Sequence, residues 1–137
     1  MTGATPYFQF PGTARDALER YQQIFGGDLK IWSYGEFGRT DGPADAVAHG
    51  ALDGVVSVFA ADAAEGEAAF TSTGFFLSVL GGGDADTSHR WFEALSDGGT
   101  VLDPLQQRGW GGFDGQVRDR FGVTWLIGYE PSEQPAA

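Results

Sequence analysis

The chain of 137 residues has no cysteine and only two histidines, and its 8 lysines and arginines face 19 aspartates and glutamates. Without cysteine there is no disulfide framework, and no thiolate to bind a metal or act as a nucleophile. The formal net charge of −11 argues against nucleic acid as a partner, because such binding depends on Lys and Arg neutralising phosphates. The acids are scattered, so their first reading is solubility, and a cationic ligand is compatible with them. No apolar run approaches the roughly 20 residues that cross a bilayer, so no membrane partner is expected. The start, Met1-Thr2-Gly3-Ala4-Thr5-Pro6, has neither a basic cluster nor an apolar stretch. No secretory signal is read there, and a cytoplasmic protein is expected.

What is present is a repeated plan. An apolar strand at 6–10 precedes a helix ending at Gly26-Gly27, and another at 74–80 precedes a helix ending at Gly98-Gly99. A strand follows each glycine pair, at 29–34 and 100–105. Each half then closes on a hairpin. In the first, 46–52 is one arm, Asp53-Gly54 the turn and 55–59 the return. In the second, 116–119 and 123–127 are arms around Arg120-Phe121-Gly122, after a glycine-rich approach at Trp110-Gly111-Gly112. Each half therefore reads strand, helix, strand, strand, strand.

The helices have clear faces. Ala14, Ala17, Leu18, Tyr21, Ile24 and Phe25 form one apolar stripe, and Thr13 with Asp16 is expected to cap its start. The second helix is expected from about Asp84 to Ser96. Asp84 and Asp86 suit its positive end, and Trp91, Phe92 and Leu95 its buried face. Each helix can cover only one face of its own sheet, so the other face is covered by something else or left as a cleft. Loops are read at 37–45 and 60–69, and the tail 131–137 is read as disordered.

Several familiar sites are missing. Gly81-Gly82-Gly83-Asp84 precedes a helix but lacks the Lys-Ser/Thr of a phosphate loop. No Ser-His-Asp order or nucleophile elbow occurs.

The order of Thr5–Phe10, Ala14–Tyr21, Ile24–Gly27, Val47–Gly50, Trp91–Leu95 with Gly98-Gly99, Trp110-Gly111 and Asp119–Trp125 resembles the vicinal oxygen chelate superfamily of glyoxalases, bleomycin-resistance proteins and dioxygenases, in its PhnB-like branch. The resemblance implies an α+β fold: two tandem βαβββ modules, about 5–62 and 72–130, forming curved mixed sheets around a cleft with helices outside. It implies one domain and commonly a homodimer. Relatives in this branch are often labelled ubiquinone-pathway methyltransferases, but no methyl-donor-binding loop is found here.

Metal-using members of the superfamily hold a divalent ion with His, Gln and Glu side chains, one from each of four strands. Carried onto this chain, those positions fall at Tyr7 or Gln9, near Val58, at Ser78 and near Leu126. That set cannot hold Zn²⁺, Mn²⁺ or Fe²⁺ usefully, so neither a metal nor another cofactor is expected. The favoured reading is a metal-independent binding protein holding a small organic ligand, with a cationic one compatible. Its expected ligand-binding residues are Tyr7, Gln9, Trp32, Tyr34, His49, Trp110, Phe113 and Trp125. Trp32 and Tyr34 alternate with Ile31 and Ser33 and are expected to share the cleft face. His49 is the one weak candidate for a catalytic base, and His89 is read as solvent-facing. An enzyme of lyase, isomerase or dioxygenase type using His49, or a structural domain with a self-filled cleft, are the alternatives.

Overall fold

The structure, a computed structural model, describes residues 3–131. All but Pro131 of the tail expected to be disordered lies outside them. Two compact units divide between Thr71 and Ser72.

The first unit contains β1 (Tyr7–Phe10), α1 (Ala14–Phe25), β2 (Asp28–Ser33), β3 (Val47–Asp53) and β4 (Val58–Asp62). Its sheet has the order β1-β4-β3-β2, with β1 parallel to β4 and the other pairs antiparallel. The second contains β5 (Leu77–Leu80), α2 (Ala85–Ser96), β6 (Thr100–Gln107), β7 (Phe113–Arg118) and β8 (Thr124–Tyr129), in the order β5-β8-β7-β6 with the same strand directions. The duplicated βαβββ plan, and with it the α+β class, is therefore present.

One helix covers one face of each sheet. In α1 the buried residues are Ala14, Ala17, Leu18, Tyr21 and Phe25, which fall on the stripe expected from three- and four-residue spacing. They pack on Leu52, Val58, Ala60, Phe8 and Phe10, all of them buried. Gly50 permits the approach, since a Cβ there would lie 2.3 Å from Leu18 Cδ1. In α2 Trp91, Phe92 and Leu95 are buried, and the strand residues Val117, Trp125 and Ile127 are buried with them. Asp84, expected at the positive start of the helix, lies just before it and accepts the Thr87 N–H at 2.8 Å as its cap.

Four local expectations are corrected. Thr13 makes no capping bond from its side chain. The start of α1 is instead held from the sheet: the buried Asp62 accepts the Ala14 N–H at 2.9 Å through Oδ1 and the Val47 N–H at 2.8 Å through Oδ2. Asp62 had been read as part of a loop beginning at residue 60, but β4 runs through it. The first hairpin turn is also longer than Asp53-Gly54. Strand pairing resumes only at Val58, because Val56 turns into the core and the Ser57 hydroxyl donates to Asp53 Oδ1 at 3.0 Å.

The second hairpin turns over 119–123 rather than 120–122. Asp119 is buried within it. Its Oδ1 accepts the N–H groups of Phe121 at 2.8 Å and Val123 at 3.1 Å, and its Oδ2 accepts the Trp125 indole N–H at 2.9 Å. The most distinctive stretch of the sequence thus describes a turn and its lock.

Candidate functional site

In the first unit, side chains alternate between α1 and the open face of the sheet. Tyr7, Gln9, Trp32, His49 and Phe59 share the open face: Tyr7 pairs with Phe59 and Trp32 with His49 across the ladder. β1 is separated from β3 by β4, and the rings of Tyr7, Phe59, His49 and Trp32 span all four strands of the sheet. The Tyr7 hydroxyl and His49 Nδ1 share a hydrogen bond of 3.0 Å. Trp32 stacks on the His49 ring with centroids 5.8 Å apart and planes at 23°. Phe59 lies 5.2 Å from the His49 centroid and 5.8 Å from that of Tyr7. Phe37, in the loop after β2, adds a ring 6.4 Å from Trp32.

His49 is therefore the hub of an aromatic cluster. Burial raises the Tyr7 phenol above its ordinary value, and the Arg39 guanidinium offsets part of that. Tyr7 stays a protonated hydroxyl near neutral pH. The phenol donates to Nδ1 in the tautomer whose ring proton sits on Nε2, and accepts in the tautomer that carries it on Nδ1.

Tyr34 is not in this cluster. The register between β2 and β3 shifts at Trp32/Ser33, so alternation breaks and Tyr34 turns to the other side. It is buried with Ala48 and Ala64, and its hydroxyl donates to the Asp62 carbonyl at 2.6 Å. The Arg39 guanidinium carbon covers its ring at 4.1 Å from the centroid. Arg39 is itself held by Asp41 through two hydrogen bonds of 3.0 and 2.7 Å. Tyr34 borders a different hollow of about 450 Å³ beside the start of α1, walled also by Asp41, Asp45 and Glu65.

The remaining candidates lie in the second unit. Trp125 is fully enclosed and spends its indole N–H on Asp119, so it serves the core rather than a surface. Phe113 pairs with Tyr129 and faces α2, stacked on the Tyr129 ring at 4.8 Å. Trp110 stands in the loop before β7, 70% exposed. His89 is exposed, as expected, and shares a hydrogen bond of 2.8 Å with the Tyr129 hydroxyl.

Phe59 is not among the residues the sequence singles out. Val58, taken as the metal position of that strand, is buried under α1, and Phe59 and Ala61 hold the open face. In the second unit the ladder sets Ser78 beside Leu126 and Leu126 beside Gln116 on the face away from α2. Gln116 is the polar neighbour that the sequence did not single out. Among the described residues no three His, Asp or Glu side chains gather as a metal site. On the open face of the first sheet the donors are one imidazole already bonded to a phenol, and one carboxamide. That donor set does not fit a divalent ion.

The sequence profile of the Glyoxalase/Bleomycin resistance protein/Dioxygenase superfamily matches residues 6–127. The chain belongs to this superfamily. It is 32% identical to Protein YjdN of Escherichia coli K12 over 139 residues, covering 90% of this chain and 92% of that protein. Among solved structures it resembles protein PA1353 of Pseudomonas aeruginosa at a TM-score of 0.81 and 29% identity, covering 96% of this chain and 100% of that one. It also resembles the PhnB protein of Bacillus cereus at a TM-score of 0.78 and 21% identity, covering 93% and 99%. The latter likeness is one of fold. No helix among the described residues is long and apolar enough to cross a membrane.

Proposed function

We propose that this superfamily member is a cytoplasmic, homodimeric binding protein that holds a small organic ligand without a metal, against Tyr7, Trp32, His49 and Phe59. The single observation behind this reading is the cluster of three aromatic rings around His49 on a sheet face that the unit's own helix does not cover. Stacked rings offer flat apolar contact, and Gln9 and the Tyr7–His49 pair add a few directional polar groups, which is the usual make-up of a small-molecule site. The net charge of −11 favours a ligand that is not strongly anionic.

The Tyr7–His49 hydrogen bond favours a second reading, a lyase or isomerase in which His49 takes a proton from the substrate while Tyr7 steadies the ring.

Titration with planar aromatic dyes, one cationic and one neutral, tests the first reading. Binding should quench Trp32 fluorescence, and Trp32→Ala and His49→Ala should each weaken it about 5- to 30-fold, the equivalent of losing a stacking contact or a hydrogen bond. Binding that ignores both substitutions sinks the site assignment. Stoichiometric Zn, Mn, Fe or Ni in purified protein sinks the metal-free part.

A further inference from the structure

The second unit contains a hollow that the aromatic face of the first does not use. It encloses about 290 Å³ where β5 and β8 end, walled by Leu80, Trp110, Phe113, Tyr129, Asp114 and Glu130.

Its aromatic walls are fixed by separate contacts. The Phe113 and Tyr129 rings are parallel to within 6°. Tyr129 is held by the His89 hydrogen bond at its hydroxyl and by an edge contact with the His89 ring, centroids 5.5 Å apart. Trp110 is more exposed than any other large hydrophobic side chain among the described residues, yet its loop is well tied. The Arg108 N–H donates to the Gly112 carbonyl at 2.7 Å, and the Gly111 N–H to the Arg108 carbonyl at 2.9 Å. An indole displayed on a tied loop has no part in the core, so burial does not account for it.

The two carboxylates are in different states. Asp114 accepts from Arg108 Nε at 2.6 Å, and the same guanidinium pairs with Asp103 at 2.7 Å. Glu130 makes no ion pair among the described residues. Gly112 is the floor between indole and carboxylate: a Cβ on it would meet Trp110 Nε1 at 2.6 Å and Glu130 Oε1 at 3.0 Å.

Ring faces carry a negative quadrupole and attract a diffuse cation, and an adjacent carboxylate balances its charge. An anion would be repelled by Glu130, and a neutral hydrophobe would cover that carboxylate without pairing it. A hollow of about 290 Å³ has room for a compact head group. We propose that this hollow binds a small organic ammonium ion of the trimethylammonium class, between Trp110, Tyr129 and Glu130 and independently of the His49 cluster.

Choline chloride titrated into the full ¹⁵N-labelled chain is the test, with the indole N–H signal of Trp110 as readout and Trp110→Phe to assign it. The comparison ligands are 3,3-dimethyl-1-butanol, the uncharged isostere of choline, and sodium chloride at matched ionic strength. The Trp110 signal should shift saturably with choline, at an affinity about 5- to 30-fold above that for the isostere. Glu130→Gln should remove most of that preference while leaving the weak binding of the isostere. Gly112→Ala should abolish both by filling the floor. An unshifted indole signal of the enclosed Trp125 verifies the fold of each variant. Equal affinity for choline and its isostere, a shift reproduced by sodium chloride, or no response at Trp110 would overturn the proposal, and none of these outcomes bears on the His49 site.

Discussion

Trp125 donates its indole N–H to Asp119 Oδ2 at 2.9 Å, and both side chains are buried. The carboxylate that shapes the β7–β8 turn is thus anchored to the largest enclosed ring of the second unit. Asp119→Ala would leave the indole N–H and the N–H groups of Phe121 and Val123 without this acceptor. A loss of roughly 2–4 kcal/mol is expected, since buried donors stripped of a charged acceptor lose more than a neutral hydrogen bond. Asp119→Asn should recover part of it. Urea denaturation checks this, with an unchanged m-value showing that the stability itself moved.

Asp62 performs a comparable task in the first unit with a different geometry. It joins the start of α1 to the start of β3 through Ala14 and Val47. Asp62→Ala should cost roughly 2–3 kcal/mol, combining loss of a helix cap with an unpaired strand N–H. Thr13→Ala should cost under about 0.5 kcal/mol, because its hydroxyl caps nothing. The ranking of the two midpoints in urea decides it, and a larger effect at Thr13 would contradict the structure.

Tyr34 links stability to alkaline pH. Burial raises its phenol above the ordinary value, so the folded state retains the proton where the unfolded chain has released it. The contribution is complete below the unfolded pKa of about 10 and is lost as pH rises through the folded value. Tyr34→Phe should lower stability near neutral pH by about 1 kcal/mol through loss of the bond to the Asp62 carbonyl. It should also flatten the decline above about pH 10. Thermal melts across that range, compared with Tyr7→Phe, measure both effects.

Tyr7→Phe tests the pair on the open face. Tyr7 is 49% exposed, so stability should change by less than about 0.5 kcal/mol. The ¹⁵N signals of His49 should shift toward a different tautomer balance once Nδ1 loses the phenol. Ligand affinity should fall about 2- to 10-fold, the value of one hydrogen bond. Unchanged imidazole signals would mean that the 3.0 Å contact is not maintained in solution.

The order of elements was legible because periodicity carries it. The α1 stripe, the acids at the start of α2 and the glycine pairs stand in the chain as local signals. What escaped reading depended on contacts distant in sequence. Asp62 caps a helix whose first residue lies 48 positions earlier, and no local pattern announces that. The hairpin turns were drawn too short because the side chains of Ser57 and Asp119, rather than turn-type residues alone, close them. At the site, His49, Tyr7 and Trp32 were named from residue type and superfamily resemblance, and the register joins them. Phe59 was not singled out, because the run from Val58 to Ala61 has no polar residue to mark which side chains face out. Trp125 was placed at the cleft although its indole N–H already had a buried carboxylate six residues away.

The slip at Ser33 has a practical consequence for comparing this chain with its kin. A pattern-based alignment run straight through that position would put Tyr34 beside Trp32 and assign a pocket role to a residue that clamps the floor of its own unit. In this protein the spacing of one strand, as much as the identity of its side chains, decides which aromatics share the open face.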